Sequence, residues 1–202
     1  MVQKEEKRPR GRPRAYDPDA ALARAMGAFW DRGYAATSLD DISAATGMNR
    51  PSLYAAFGDK QAIYLKAIER YRAGPAVKDA LAGGRTLREA LRRVYKAALA
   101  IYLHGDRGAR GCFVIGTAAT EAVTNPLVRE QLAGVLHDVD AAFEARIRQA
   151  KVEGELPPDA DPEALARLAS ATLHSLALRA RAGEKRRVLE AIAEAGVTSV
   201  CG

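Results

Sequence analysis

Residues 37–60 read TSLDDISAATGMNRPSLYAAFGDK, and the fold turns on how this stretch is punctuated. Ser38 with Asp41 makes a capping-box-like pair, in which each side chain can satisfy the other residue's orphan amide at a helix start. Leu39, Ile42 and Ala45 then supply one apolar face. Gly47 ends that helix after about two turns, because glycine adopts the left-handed conformation of a helix end without steric cost. Asn49 caps the next helix, and Pro51 is tolerated since it lies in the first turn, where a missing N–H costs nothing. Leu53 and Phe57 are four apart and form a buried stripe, before Gly58-Asp59 breaks and restarts the chain. Two short helices joined by a tight glycine-containing turn is the pattern of a helix-turn-helix, although similar hairpins occur in many all-α proteins.

Working outward, the apolar spacing stays helical from Asp17 to the C-terminus, and no bounded alternating stretch argues for a strand. Asp17-Pro18 starts a first helix with Leu22, Met26, Phe29 and Trp30 on one face, and Gly33 stops it. After Gly58-Asp59 a fourth helix points Ile63, Ala67, Ile68 and Tyr71 inward. Residues 73–86, AGPAVKDALAGGRT, are rich in glycine and small residues and read as a boundary between two parts. Beyond it, Thr86 with Glu89 caps a helix carrying Leu87, Leu91, Val94, Ala98 and Ile101. A short helix over Cys112–Ala122 follows, then a long one from Asn125-Pro126 to Gly154. Asp161-Pro162 opens a helix with Leu165, Leu168, Ala169, Thr172, Leu176 and Ala177 on one side, and a last helix holds Val188, Leu189 and Ile192. The expected fold class is all-α, with a basic arm at 1–16, a helix-turn-helix unit at 17–72 and a helical bundle at 77–197.

The 202-residue chain carries a formal net charge of +6, and most of the excess sits at the front. Residues 1–16 hold Lys4, Lys7, Arg8, Arg10, Arg12 and Arg14 against Glu5 and Glu6, a net +4, whereas residues 17–70 hold seven acids and six bases. That is the profile of a charged arm on a selective module rather than a compact polyanion-binding body. No secretory signal or apolar run long enough to span a bilayer stands out, so a cytoplasmic protein with no membrane partner is expected. Cys112 and Cys201 are far apart and imply no disulfide framework, and Cys201 is expected to lie in a terminal tail. His104, His137 and His174 are widely separated, with no carboxylate or cysteine at metal-ligand spacing, no phosphate loop and no nucleophile elbow. No metal, cofactor or enzymatic activity is therefore expected.

The surface of the third helix carries the chemistry. Arg50 and Ser52 project from its leading turn, where a guanidinium can span guanine O6 and N7 and a hydroxyl can bond either base type. Tyr54 can offer its phenol to a phosphate, Ala55 can touch a thymine methyl, and Lys60 adds a cationic phosphate contact. Thr37 and Ser38 sit where the amides and hydroxyls of a helix N-terminus would grip another phosphate. Leu53 and Phe57 read as core.

TSLDDISAATGMNRPSLYAAFGDKQAIYLKAIERY, residues 37–71, resembles the DNA-binding region of the TetR family of bacterial transcriptional regulators, down to Leu53-Tyr54, Phe57 and Lys60. The likeness extends back through GRPRAYD and the first helix. It implies a three-helix DNA-binding domain whose third helix is the recognition helix, so that Arg50, Pro51, Ser52, Tyr54 and Ala55 face double-stranded DNA and Thr37 and Lys60 contact phosphate. Ala55 and Ala56 replace the bulkier residues many members carry there, which shifts base readout toward Arg50 and Ser52. A DNA-coating protein using only the basic arm is the alternative, disfavoured by the nearly neutral module.

RPRGRPR, residues 8–14, resembles an AT-hook core. Arg10, Arg12 and Arg14 would lie along a narrow A·T-rich minor groove, Gly11 allowing close approach and Pro9 and Pro13 keeping the backbone extended. A solubilising basic tail is the other reading. For the bundle, the resemblance implies a small-molecule inducer held between helices, a homodimer through the last two helices and repression of a palindromic operator. Ala169, Ala177 and Ala180 would let a symmetry-related helix approach. Candidates for the ligand wall are Tyr95, Tyr102, Cys112, Phe113, Thr117, His137 and His174, which are polar-tipped or aromatic groups on apolar helices. Cys112 follows Arg107 and Arg110 at a helix start, a setting that would favour a reactive thiolate; its other reading is a small buried residue.

Overall fold

The computed structural model describes residues 16–74, 76–105 and 108–202. The arm with Arg10, Arg12 and Arg14, and also Arg107, lie outside the described residues. Among the described residues there are ten helices and no strand: α1 Pro18–Arg32, α2 Leu39–Thr46, α3 Arg50–Phe57, α4 Lys60–Arg72, α5 Ala76–Ala82, α6 Leu87–Tyr102, α7 Phe113–Glu121, α8 Pro126–Val152, α9 Pro162–Arg181 and α10 Arg186–Cys201. Most starts are set by short polar side chains that accept orphan amides. Asp17, Ser38, Asn49, Asp59, Thr86, Asn125 and Asp161 each do so.

Three expectations need correction. The boundary at 73–86 contains α5, which packs on α6 and α8 through Ala80 and Leu81, so the glycines at 83 and 84 mark its end and not a loose linker. On α9 the inward face is Ala166, Ala169, Leu173, Leu176, Ala177 and Ala180, while Leu168 is 42% exposed. Ala169, Ala177 and Ala180 are spent inside their own chain and are not available to a symmetry mate. Cys201, read as lying in a terminal tail, is the last residue of α10 and half-buried.

Helices α1–α4 enclose a small core of Phe29, Ile42, Leu53, Phe57, Ile63, Tyr64 and Ile68, all buried. The rest of the chain is a bundle in which α8 and α10 flank α9, with α6 behind it. The two parts share one aromatic cluster. Trp30 packs edge-on against Tyr71 at a centroid distance of 5.3 Å and against Phe113 at 5.6 Å, and Tyr64 meets Phe113 at 6.0 Å.

Polar groups at this junction are paired in the same way. Trp30 Nε1 donates to the Gly111 carbonyl at 3.1 Å, and the Tyr64 hydroxyl pairs with Thr117 Oγ1 at 2.7 Å. The Arg110 guanidinium stacks 4.0 Å from the Trp30 ring centre. At the end of α9, Arg181 donates to the carbonyls of Trp30 at 3.2 Å and Arg110 at 3.0 Å. Gly111 has φ +65°, and a Cβ there would come within 2.5 Å of the Ala177 carbonyl oxygen, so only glycine lets the loop lie this close to α9.

Candidate nucleic-acid interface

Helix α3 is presented by the turn before it. Gly47 sits in the left-handed region at φ 70°, returning the chain so that α3 crosses α2, and Met48 is buried beneath the turn. The Asn49 side chain accepts the Ser52 amide at 2.9 Å. Leu53 and Phe57 anchor one face, which leaves Arg50, Pro51, Tyr54 and Ala55 exposed and Ser52 half-covered. Tyr54 is 50% exposed.

Arg50 is not idle in the DNA-free protein. Its Nε donates to Asp40 Oδ1 at 2.8 Å and its Nη2 to Asp40 Oδ2 at 2.6 Å, a bidentate fork of the kind a guanine edge would also satisfy. The Arg50 hydrogen bond, and then its charge, hold the Asp40 carboxyl below the ordinary carboxylate range. Both side chains are more than half exposed, so the pair is weak and exchangeable. Asp40 was absent from the sequence-based candidates. It lies on α2 and meets Arg50 only because the Gly47 turn folds the two helices together, a relation no single-helix spacing rule encodes.

The phosphate contacts expected at the start of α2 are displaced. Thr37 is fully buried, and its hydroxyl donates to the Gly33 carbonyl at 2.7 Å, closing the α1–α2 turn. Its amide is taken by the Tyr34 carbonyl at 3.2 Å. Ser38 is exposed, but its hydroxyl donates to Asp41 Oδ2 at 2.7 Å and accepts the Asp41 amide at 3.1 Å. The Asp41 carboxylate therefore occupies the amide cluster where a phosphate was expected. Lys60 is held with its Nζ 4.3 Å from the centre of the Tyr34 ring, beside the Ala35 carbonyl at 3.5 Å.

Most of the ligand-wall candidates are packed into the core. Tyr95 is buried and donates to the Ala169 carbonyl at 3.0 Å. Tyr102, Phe113 and Thr117 are core, and His137 is exposed on α8. His174 is half-buried, and desolvation keeps its imidazole pKa below the ordinary value. Cys112 is buried beside the Tyr71 hydroxyl at 3.4 Å, and burial pushes its thiol pKa up, opposite to the reactive thiolate considered from the sequence. A cleft of about 1060 Å³ lies elsewhere, between α1, α4, α5, α6 and α8, with Leu22, Met26, Tyr71, Val77 and Val139 in its wall. None of the seven candidates lines it.

Comparison with known proteins places both halves. Residues 21–67 match the family described as bacterial regulatory proteins, tetR family, and residues 87–195 match the tetracyclin repressor-like C-terminal domain. The chain is 31% identical over 190 residues to the HTH-type transcriptional repressor ComR of Escherichia coli (strain K12), covering 93% of this chain and 90% of that protein. It is 30% identical over 158 residues to the HTH-type transcriptional activator FasR of Mycolicibacterium smegmatis, covering 73% of this chain and 70% of that one. Among solved structures it resembles the TetR family transcriptional regulator CifR, a cysteine mutant complexed with 26bp double-strand operator DNA, at TM-score 0.85 and 34% identity, covering 93% of this chain and 99% of that chain. With both halves matched and the helix-turn-helix geometry in place, the chain belongs to the TetR family of bacterial transcriptional regulators, proteins that bind operator DNA and are not enzymes.

Proposed function

We propose that this chain is a ligand-responsive repressor that binds a palindromic operator as a homodimer in the cytoplasm and leaves it when a small molecule binds. The observation that carries the reading is the division of α3 into a buried stripe, Leu53 and Phe57, and an exposed leading turn with Arg50, Pro51, Tyr54 and Ala55. In this reading Arg50 exchanges the Asp40 carboxylate for a guanine edge, Ser52 and Ala55 supply secondary base contacts, and Tyr54 and Lys60 contact phosphate. A relative of the same fold has been solved with operator DNA, which supports DNA binding by this chain.

The dimer is assigned to α9 and α10. Leu168, Ala171, Ser175 and Leu178 follow helical spacing along one side of α9, and Leu168 and Leu178 are exposed at 42% and 55%, with Val188 at 40% on α10. Pairing these faces would set two α3 helices about 34–36 Å apart, one turn of DNA. Arg181, which reaches from α9 to the Trp30 carbonyl, would couple that interface to α1. A ligand favouring a splayed arrangement would then release DNA in proportion to its differential affinity.

Selection of bound fragments from a random DNA pool tests the reading, with mass measured by light scattering. Enrichment of an inverted repeat by a dimer is expected; uniform recovery of all sequences would leave only nonspecific coating. Deleting residues 1–14 tests the arm separately. It is expected to lower the slope of log affinity against log salt by about 0.9 per lost phosphate contact, and an unchanged slope dismisses the arm as a DNA contact.

A further inference from the structure

The cleft between the two parts has a floor and a rim of different chemistry. Leu22 and Met26 of α1 face Val77 of α5, Ile101 of α6 and Val139 of α8 across about 1060 Å³, the size of a small-molecule site, so the apolar floor is drawn from both parts. On the α8 side the rim is dominated by one guanidinium. Arg72, the last residue of α4, donates from Nε to Asp138 Oδ2 at 2.5 Å. Its terminal nitrogens lie against Gly134, one helical turn before Asp138; a Cβ at position 134 would come within 2.8 Å of Nη1. Glycine is unfavourable inside a helix, and here it clears a seat for this guanidinium.

Further cations line the same edge. Lys78 borders the cleft and also a contiguous groove of about 440 Å³ along α5 and α8, which it shares with Asp138 and Ala142. In that groove Arg146 is 8% exposed; its Nη2 donates to Glu155 Oε1 at 3.2 Å, and its Nη1 has no hydrogen-bond partner among the described residues, with Glu153 Oε2 3.9 Å away. The Asp138 carboxyl is held below the usual carboxylate range by the Arg72 hydrogen bond first, with Lys78 and His137 adding to the effect. Asp138 is thus a carboxylate already seated among cations at the mouth of an apolar cleft. Of the other acids in the wall, Asp19 is taken by Arg70, and Glu69 and Asp79 are exposed.

We propose that this cleft binds an amphipathic monocarboxylate, whose carboxylate takes the place of Asp138 on Arg72 and whose apolar body lies on Leu22, Met26, Val77 and Val139. The exchange releases the end of α4 from α8 while the ligand body bridges α1 and α8. Ligand binding would then act on the orientation of the DNA-binding part relative to the bundle. This deepens the ligand-responsive reading proposed above and rests on it only for that last consequence.

The test is calorimetric titration of the full chain, without DNA, with decanoate and with 2-naphthoate, using decan-1-ol and 2-naphthol as uncharged controls. Saturable binding of at least one acid, about tenfold or more tighter than its control, is expected from a charge-assisted contact. Arg72→Gln is expected to weaken the acid by about tenfold, whereas Asp138→Asn, which removes the competing carboxylate, is expected to tighten it about threefold or more. A purely structural latch predicts the same sign for both variants, because both break one ion pair. Gly134→Ala provides a check that leaves both charges in place: its methyl crowds Arg72 and should also weaken binding. No saturable binding of either acid, equal binding of acid and control, or like-signed effects of the two charge variants would overturn the proposal. Because DNA is absent, a positive result stands even if operator affinity is unmoved, and a negative one leaves ligand response through another site untouched.

Discussion

Arg50 and Trp30 both belong to the DNA-binding part, and their surroundings differ in almost every physical respect. Arg50 stands in solvent, held by one exchangeable carboxylate, on a helix that buries only Leu53 and Phe57. Trp30 is 4% exposed, edge-on to Tyr71, stacked by Arg110, and bonded through both its indole and its carbonyl to the second half of the chain. The reading surface is thin and ready to exchange partners; the junction behind it is dense and tied by several hydrogen bonds. A regulator needs that division, since base contacts must form and break while the frame that aims them stays fixed.

The sharpest way to break the comparison is to empty the junction. Trp30→Ala removes a buried indole, a hydrogen bond and a cation stack together, and is expected to cost about 3–5 kcal/mol of stability, as for other buried aromatic truncations. In a chain this long that corresponds to a melting-temperature loss on the order of 10 °C. Calorimetry is expected to show the two halves melting in separate steps once their shared cluster is gone. A single unshifted transition would mean that the halves are not united here.

Alkaline titration probes the same region without mutation. Burial pushes the Cys112 thiol and the Tyr71 and Tyr102 phenols above their ordinary values, and Tyr64 up to about 12. In the unfolded chain the thiol ionises near 8.5 and the phenols near 10. The folded state therefore holds these protons more tightly. Their contribution is complete below the unfolded values and is lost as pH rises through the window up to the folded ones. Urea midpoints should rise slightly from about pH 6 to 7, where the unfolded chain alone protonates His174, then begin to fall near 9 and fall more steeply beyond 10. Tyr64→Phe, which removes one such phenol, should flatten the steep part.

On the reading surface the expected pattern is reversed. Arg50→Ala should leave the melting temperature unchanged, because its ion pair is exposed, yet weaken operator binding on the order of tenfold to a hundredfold and relax preference at one base position. Competition against operators substituted one position at a time would check this. Uniform weakening at every position would reassign Arg50 to phosphate.

The contrast also explains what the sequence could disclose. Helix starts were legible because Asp17, Ser38, Asn49, Thr86, Asn125 and Asp161 act on amides two or three residues away, a local event with a local signature. The turn at Gly47 and the buried pair Leu53 and Phe57 were legible for the same reason. Helix α5 was not, since AVKDALA is flanked by glycines and stays helical through tertiary packing of Ala80 and Leu81. The place of Thr37 before a cap points to a phosphate contact, but the buried side of the α1–α2 turn claims its hydroxyl. The Asp40–Arg50 fork and the cleft at Arg72 are relations between helices, and periodicity within one helix carries no information about them.

The smallest effect expected is at Lys60, and it separates the two regions most finely because Lys60 belongs partly to each. Its ammonium rests over the Tyr34 ring, and Tyr34 in turn stacks on Phe29 and Tyr64 of the core. If Lys60 serves DNA, Lys60→Gln lowers the salt slope by about one, weakens all sequences equally and leaves the melting temperature in place. If it serves the core, the cation–π contact is lost, the melting temperature falls slightly and the slope does not change. The first outcome is expected, since an exposed cation–π contact is weak whereas each neutralised phosphate releases a counterion whatever the base beside it. Salt titration on operator and on random duplex, side by side with melting, distinguishes the two with a single variant.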